Sequence, residues 1–255
     1  FKQKTAYEIM PSLVGSEMCI RDSDRVNHSA EAMMITPTVS SEEMVDIIMD
    51  GIKKYNSNQA IYIRPMYWAI EGGDLAIVPK QGVTGFAICL EDIPMADPNL
   101  AATLTTTSFR RPVLEDNVVN AKAGCLYPNN ARMLAEARTK GFSNALVADI
   151  MGNVAETATA NIFIVKDGEV FTPIPNGTFL AGITRNRHIS NLKADGFKVH
   201  EKVISFKDVS EADEVFMSGN MMKVTPVKAF NDTNYQNGPI TKRTRELYWD
   251  WAKSG

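Results

Sequence analysis

Few side chains in this sequence have the type and spacing that catalysis or metal binding usually requires. Lys122 lies in the segment Ala-Lys-Ala-Gly with Tyr127 five residues later, and taken alone it would be a solvated lysine, as most lysines are. The three histidines are scattered along the chain, and we expect packing or surface positions for His28, His188 and His200. The sequence therefore predicts no histidine-rich metal centre.

Motifs of several other enzyme classes are missing. The sequence has no Walker motif, no G-x-G-x-x-G after a strand, no H-E-x-x-H and no G-x-S-x-G. These absences argue against nucleotide, dinucleotide, zinc-protease and α/β-hydrolase chemistry. Three widely spaced cysteines, Cys19, Cys89 and Cys125, fit neither a disulfide framework nor a zinc site, which favours a reducing compartment.

The composition favours a small-molecule partner. The 255 residues include 27 Lys and Arg against 30 Asp and Glu, a formal charge of −3. This balance gives no indication of nucleic acid or of an anionic membrane surface as a partner. No apolar run approaches the roughly 18 residues of a membrane-spanning helix, so we expect a soluble, cytoplasmic protein.

Residues 1–23 differ in character from the rest of the chain. They show no sustained helical or alternating period and no unbroken apolar segment of a signal peptide. The stretch SLVGSEMCIRDS resembles the translated read-through of a sequencing adapter. We therefore exclude residues 1–23 from the predicted fold, as an artefact or a disordered leader; the alternative is a mobile natural terminus.

The remaining sequence predicts an α+β fold. Ser40 with Glu43 forms a capping box before a helical period over residues 40–55. Asp167-Gly168 between two apolar runs predicts a β-hairpin over residues 162–172, and residues 110–120, with mixed charges and no period, indicate a connection between domains. Further helices are expected over 127–140, 184–195 and from 239 onwards, and further strands over 60–70, 85–91, 104–109, 144–150, 197–200, 214–218 and 224–230.

The run from Asn120 to Pro173, followed by FLAGITR and ADEVFMSGN, resembles the class IV, or fold-type IV, pyridoxal-phosphate aminotransferases. Within that family the sequence is most similar to the branched-chain amino acid aminotransferases, from about Asp24 to the end. The resemblance implies a small α/β N-terminal domain over residues 24–110, truncated at its start. It also implies an interdomain loop over 111–121 and a larger pseudo-barrel domain over 122–255 that binds the cofactor.

The resemblance implies roles for three residues around the cofactor, pyridoxal 5′-phosphate. Lys122 matches the lysine that forms the Schiff base and then carries the proton, for which the site must favour its neutral amine. Glu156 matches the carboxylate opposite the pyridine nitrogen, which makes the ring an electron sink. Tyr127 matches the phenol that hydrogen-bonds the cofactor O3′. Taken alone, these residues would be a solvated lysine, a salt-bridged or capping glutamate and a half-buried tyrosine.

The resemblance also implies two groups of binding residues. Those for the phosphate are Arg25, the helix N-terminal residues Gly182, Ile183 and Thr184, and the turn residues Gly219 and Asn220, where the family's threonine is replaced. Those for the substrate are Tyr62, Arg64 and the backbone N–H of Met221. Arg64 matches a residue facing the substrate carboxylates; the alternative is an edge-strand arginine in a surface ion pair.

The implied function is a transaminase that moves an amino group between branched-chain L-amino acids and 2-oxoglutarate. Two alternatives share the fold, a D-amino-acid aminotransferase and an aminodeoxychorismate lyase. A third is an inactive fragment that still binds pyridoxal phosphate. The resemblance further implies a homodimer, with amino acids and 2-oxo acids as substrates and with no metal.

Overall fold

The computed structural model describes residues 17–56 and 59–254. They form two compact units: residues up to 95 with 121–123 and from 251 on, and residues 96–120 with 124–250. Within these described ranges, no helix is long and apolar enough to cross a membrane.

The first unit contains two helices and a two-stranded antiparallel sheet: α1 (Glu17–Ala32), α2 (Ser41–Ile52), β1 (Ile61–Ala69) and β2 (Thr84–Asp92). The predicted capping box at α2 is confirmed on its N-cap side, because the Ser40 side chain accepts a hydrogen bond from the Glu43 N–H. Met44, Ile48 and Ile52 share one face of α2 and pack against apolar residues of both strands. Pro65 is tolerated in β1 because, in a sheet of two strands, each strand is an edge.

Helix α1 includes residues 17–23, which the sequence analysis left out of the predicted fold. The helix runs through this segment without a break. Its inner face includes Ser23, 2% exposed, Ala30, 4% exposed, and Val26, which packs against the α2 core. The spacing is helical, but serine and alanine carry most of it, so no hydrophobic period reveals it. Residues 1–16 of the proposed leader, and with them most of that prediction, lie outside the described residues.

The second unit is built on a mixed nine-stranded sheet with the order β5-β4-β3-β10-β9-β6-β7-β8 and β11 paired to β10. The pairs β3/β4, β3/β10 and β7/β8 are parallel and the others antiparallel. The strands are β3 (Ala102–Arg110), β4 (Asn144–Ala148), β5 (Val154–Thr157), β6 (Asn161–Lys166), β7 (Glu169–Pro173), β8 (Val199–Lys202), β9 (Glu214–Gly219), β10 (Lys223–Phe230) and β11 (Thr233–Asn234).

The helices of this unit are α3 (Tyr127–Thr139), α4 (Ile183–Ala194), α5 (Phe206–Ser210) and α6 (Pro239–Ser254). Strand β6 is buried on both faces, with Ile162 and Ile164 in one apolar cluster and Phe163 and Val165 in another. This explains why its sequence is continuously apolar rather than alternating. The mixture of helices and strands confirms the predicted α+β class.

Several predicted elements are confirmed within one residue, among them α3, α4 and the hairpin β6/β7, whereas α2 ends three residues before its predicted end. At the hairpin, Asp167 and Gly168 have φ values of +51° and +76°, as a type I′ turn requires. Two short elements, β5 and α5, were missed because four or five residues are too few to establish a period.

Strand β3 differs from the predicted domain boundary, which assigned residues 24–110 to the small domain. It pairs with β4 and β10 in the large sheet, and Leu104 is fully buried in the core of the second unit. An alternating or apolar run predicts a strand but contains no information about which sheet the strand joins.

Glu214 gives a prediction about stability. Its buried carboxylate accepts hydrogen bonds from the N–H groups of Ile240 (3.1 Å) and Thr241 (2.8 Å), and from the Thr241 hydroxyl (2.6 Å), at the start of α6. We expect Glu214→Gln to lower the free energy of unfolding by about 1–3 kcal/mol, since the amide NH₂ would face these donors. Urea unfolding measures the loss. The exposed Glu211→Gln serves as control, and equal effects of the two substitutions would contradict the capping role.

Candidate active site

Of the predicted site residues in the first unit, Arg25 and Lys122 are linked through Ser29. The backbone N–H of Lys122 donates to Ser29 Oγ (3.1 Å), and this hydroxyl donates to the Arg25 carbonyl (2.7 Å) on α1. The Arg25 guanidinium pairs with Asp22 at 2.7 Å, while its Nε is buried without a hydrogen-bond partner among the described residues. The Nε–H of Arg25 is therefore a donor that no described residue satisfies.

Tyr62 and Arg64 lie on β1, two residues apart and therefore on the same face of the strand. Arg64 Nη2 is 4.0 Å from Glu91 Oε2 on β2, and both side chains are half exposed. An exposed pair at this distance contributes little, typically below about 1 kcal/mol. The ion pair that the sequence offered as an alternative exists, but it does not hold Arg64 firmly.

Glu156 lies on β5 in the second unit, with 13% of its side chain exposed, and it is paired with Arg111. Arg111 Nε is 3.0 Å from Glu156 Oε1. The other guanidinium nitrogens donate to Asn130 Oδ1 (2.7 Å) and to the carbonyls of Thr157 (2.9 Å) and Ala158 (3.2 Å). A buried guanidinium with all these partners is fixed in place, and it supplies the opposite charge that a buried carboxylate requires.

Asn161, the first residue of β6, joins Glu156 to the turn before α4. Its Nδ2 donates to Glu156 Oε2 (3.3 Å) and to the Leu180 carbonyl (2.9 Å). Its Oδ1 accepts from the Gly182 N–H (3.2 Å). A Cβ at position 182 would collide with Asn161 Oδ1, so the approach requires glycine.

The turn at Gly182 has the geometry of an anion site. Gly182 is the N-cap residue of α4, and its own N–H is used by Asn161. The N–H groups of Ile183 and Thr184 belong to the first turn, which a helix leaves without intrahelical partners. Directly behind them, fully buried Arg185 binds Glu201 at 2.8 Å and so fixes the turn to the sheet. The anion donors thus begin at Ile183 rather than at Gly182.

A second turn follows β9 beside the first. Ser218 is paired with Asn161 in the β6/β9 ladder, and its buried Oγ has no hydrogen-bond partner within the described part of the chain. Gly219 ends the strand, and Asn220 Oδ1 accepts from Lys223 Nζ (2.8 Å). Lys223 has a φ of +60°, a left-handed conformation that costs energy for a residue with a side chain.

The structure therefore brings the predicted residues together in two groups, Arg25 with Lys122 in the first unit, and Glu156 with the turns at 182–184 and 218–220 in the second. Tyr127 begins α3 and is 60% exposed, and Met221 is 50% exposed.

The sequence analysis missed Arg111 and Asn161. Arg111 was included in the proposed interdomain loop, although a paired Arg-Arg at the end of a strand was a signal. Asn161 lay inside the run from Asn120 to Pro173, without a role.

The second group fits the cofactor that the sequence resemblance implies. A fixed carboxylate can accept from a protonated ring nitrogen, a helix N-terminus can bind phosphate, and the unpaired Ser218 hydroxyl can serve a polar ligand. The described ranges contain no group of three or more His, Cys, Asp or Glu side chains that could hold a metal ion.

Comparisons with known proteins agree with this geometry. The family description "Amino-transferase class IV" matches residues 23–230. The branched-chain-amino-acid aminotransferase of Salmonella typhimurium is 31% identical over 236 residues, which cover 88% of this chain and 75% of that protein. A crystal structure of an aminotransferase from Brucella abortus bound to PLP superposes with a TM-score of 0.91 at 53% identity, covering 93% of this chain and 85% of the other. The crystal structure of the Escherichia coli branched-chain amino acid aminotransferase superposes with a TM-score of 0.84 at 29% identity, covering 92% of this chain and 78% of the other.

The chain belongs to the class IV aminotransferases. This confirms both the family resemblance seen in the sequence and the fold-type IV architecture. Its relatives include aminotransferases that are named for branched-chain amino acids, at 31–33% identity.

His188 on α4 gives a prediction about pH. Burial lowers the pKa of its imidazole to about 4, and its Nε2–H donates to the Lys223 carbonyl (3.1 Å) in the second turn. Because the pKa in the folded protein lies below the ordinary value of 6.5, the unfolded chain binds the proton first as the pH falls. We expect the His188 contribution to stability to be complete above pH 6.5 and to decrease by about 3 kcal/mol towards pH 4.

Urea unfolding between pH 4 and 7 measures this effect. His188→Phe should show a shallower pH dependence than the wild type, by up to one proton, whereas the exposed His28→Gln should not. Parallel pH profiles for wild type and His188→Phe would contradict the prediction.

Proposed function

We propose that this enzyme transfers amino groups between branched-chain L-amino acids and 2-oxoglutarate, with pyridoxal 5′-phosphate as its cofactor. The observation that carries the proposal is the Glu156 carboxylate, fixed by Arg111 and lying one side chain away from a helix N-terminus. The class IV family, the PLP-bound Brucella aminotransferase and relatives named as branched-chain aminotransferases support it.

When bound, pyridoxal phosphate supplies an electron sink for the negative charge that develops at the substrate Cα. Glu156 would accept a hydrogen bond from the protonated pyridine nitrogen, with Arg111 supplying the positive charge that its buried carboxylate requires. Lys122 would hold the cofactor through its Nζ, and the same amine would remove the proton from the substrate Cα. Tyr127 would donate a hydrogen bond to the phenolic oxygen O3′ of the cofactor.

The phosphate is held by donors of several kinds. The backbone N–H groups of Ile183 and Thr184 and the Thr184 hydroxyl act at the start of α4, where the helix dipole favours an anion. Arg25, Gly219 and Asn220 complete the proposed set, with Gly182 shaping the turn rather than donating. These assignments rest on the match of each residue to the family's motifs, and for Arg25 also on its unpaired Nε.

Substrate recognition is assigned to Tyr62, Arg64 and the backbone N–H of Met221. Arg64 is held only by a weak ion pair, so it can bind the γ-carboxylate of glutamate and withdraw when an apolar side chain enters. An apolar pocket distinguishes one methylene by about 1–3 kcal/mol, so valine, leucine and isoleucine should all be substrates.

The branched-chain assignment is favoured over a D-amino-acid aminotransferase or an aminodeoxychorismate lyase by the names of the relatives. A lyase would release pyruvate without an amino acceptor, and an inactive fragment would bind the cofactor without exchanging keto acids. A substrate panel with L- and D-amino acids, together with an assay for pyruvate released from aminodeoxychorismate without an amino acceptor, separates all four. The homodimer and the cytoplasmic location stay predictions.

The Lys122 assignment can be tested by reduction. Borohydride treatment of the protein with pyridoxal phosphate should attach the phosphopyridoxyl group to Lys122, as found by peptide mass spectrometry. Lys122→Ala should abolish both the label and transamination, whereas Lys193→Ala, on the exposed side of α4, should change neither. A label on another lysine would refute the assignment.

The Arg64 assignment predicts a selective effect on the dicarboxylic substrate. Arg64→Gln should raise the KM for glutamate and 2-oxoglutarate roughly 10- to 100-fold, the loss expected for a charge-assisted pair, while the KM for valine stays within about twofold. Glu91→Gln removes the ion-pair partner and keeps the arginine, so it should leave the KM for glutamate low. Equal increases for valine and glutamate would show that Arg64 is merely structural.

A further inference from the structure

We infer that Asn161 is a positioning residue that couples the carboxylate of Glu156 to the phosphate-binding turn at Gly182, so that the two ends of the cofactor are recognised as one unit. This inference rests on the proposed cofactor. It concerns a residue to which the family resemblance gave no role, and it follows from the hydrogen bonds of the Asn161 amide.

The orientation of this amide is fixed by its partners. The Gly182 N–H can only donate, so the atom 3.2 Å from it must be the amide oxygen. The Leu180 carbonyl and the Glu156 carboxylate can only accept, so they must face the NH₂ group, at 2.9 and 3.3 Å. A rotated amide would place oxygen against two oxygens and nitrogen against an N–H. All three bonds therefore form together or are lost together.

The backbone around Asn161 prevents it from following a displaced partner. The loop between β5 and β6 is closed by Thr157, whose hydroxyl donates to the Ala160 carbonyl (2.8 Å) and accepts from the Ala160 N–H (3.0 Å). On its other side, Asn161 is paired with Ser218 in β9. Asn161 is 7% exposed, so water does not replace a lost partner easily.

The carboxylate is thus held from two sides, Oε1 by Arg111 and Oε2 by Asn161. Among the described residues, the hydrogen bonds of Arg111 go to α3 and to the end of β5, and not to the turn at Gly182. Asn161 contacts both the carboxylate and the turn, so a displacement of one is transmitted to the other through a single planar group.

A double-mutant cycle on cofactor affinity tests the coupling. The dissociation constant of pyridoxal phosphate is measured by absorbance titration of the apoprotein for wild type, Glu156→Gln, Thr184→Ala and the double variant. In the wild-type background, we expect the loss in the double variant to differ from the product of the single losses by about tenfold. In the Asn161→Ala background, the losses should multiply to within about twofold.

Asn144→Ala is the matched control, because Asn144 is a buried asparagine on β4 that bonds to the Thr159 hydroxyl in the loop between β5 and β6 and to the Ala145 N–H, but to neither Glu156 nor the turn at Gly182. The cycle in that background should retain the wild-type coupling. Asn161→Asp serves as a second variant if Asn161→Ala fails to fold, since it keeps the size and the acceptor for Gly182 but lacks both amide donors. It too should abolish the coupling, and it should shift the pH dependence of the bound cofactor's visible absorbance band.

The outcomes separate this inference from the proposed function. A wild-type protein that binds no pyridoxal phosphate refutes the proposed function. A wild type that binds it, with coupling that persists in folded Asn161 variants or disappears equally in Asn144→Ala, refutes the role of Asn161 alone. A cycle that is additive already in the wild type refutes it as well.

Discussion

A carboxylate that is largely withdrawn from water must be compensated by its surroundings, and the second unit is arranged around this requirement at Glu156. Arg111 supplies the positive charge at 3.0 Å, and its remaining donors are used by an asparagine and two carbonyls, so the guanidinium does not become a second uncompensated charge. The cost of burying the pair is offset only while this geometry holds. The ends of β3 and β5 and the start of α3 therefore have to remain in fixed relation.

The same constraint explains why a polar residue stands at the start of an otherwise apolar strand. Strand β6 is buried on both faces from Ile162 to Val165, so the side chains of its interior can only be apolar. Asn161 lies just before this stretch, where the strand leaves the sheet towards Glu156 and the α4 turn. A buried amide is acceptable there because each of its bonds has a partner of the right kind. Packing fixes the strand, and the strand then fixes the amide.

Much of the fold could be predicted because it follows from local rules. Helix α2 follows from its capping box and apolar face, and the β6/β7 hairpin from Asp167-Gly168. Glu156 and Lys122 were proposed from the family's motifs, whereas Arg111 was not, because its role depends on a contact with a residue 45 positions further along the chain. The membership of β3 in the large sheet is likewise a property of long-range pairing. Local sequence patterns therefore predict where a strand or a charged side chain lies, but not which distant strand or side chain it contacts.

The departure from the family's threonine at Asn220 can be understood in the same terms. A lysine ammonium only donates, so its 2.8 Å bond to Oδ1 fixes which end of the Asn220 amide faces Lys223. The NH₂ end is thereby left pointing elsewhere, and a donor is retained where the family has a hydroxyl. The backbone of Lys223 is held in its left-handed conformation while its carbonyl accepts from His188 on α4. The turn at residues 218–220 is thus bonded, through Lys223, to helix α4, which begins at the turn of Gly182. Asparagine in place of the family's threonine at position 220 therefore preserves the hydrogen-bonding character of the position.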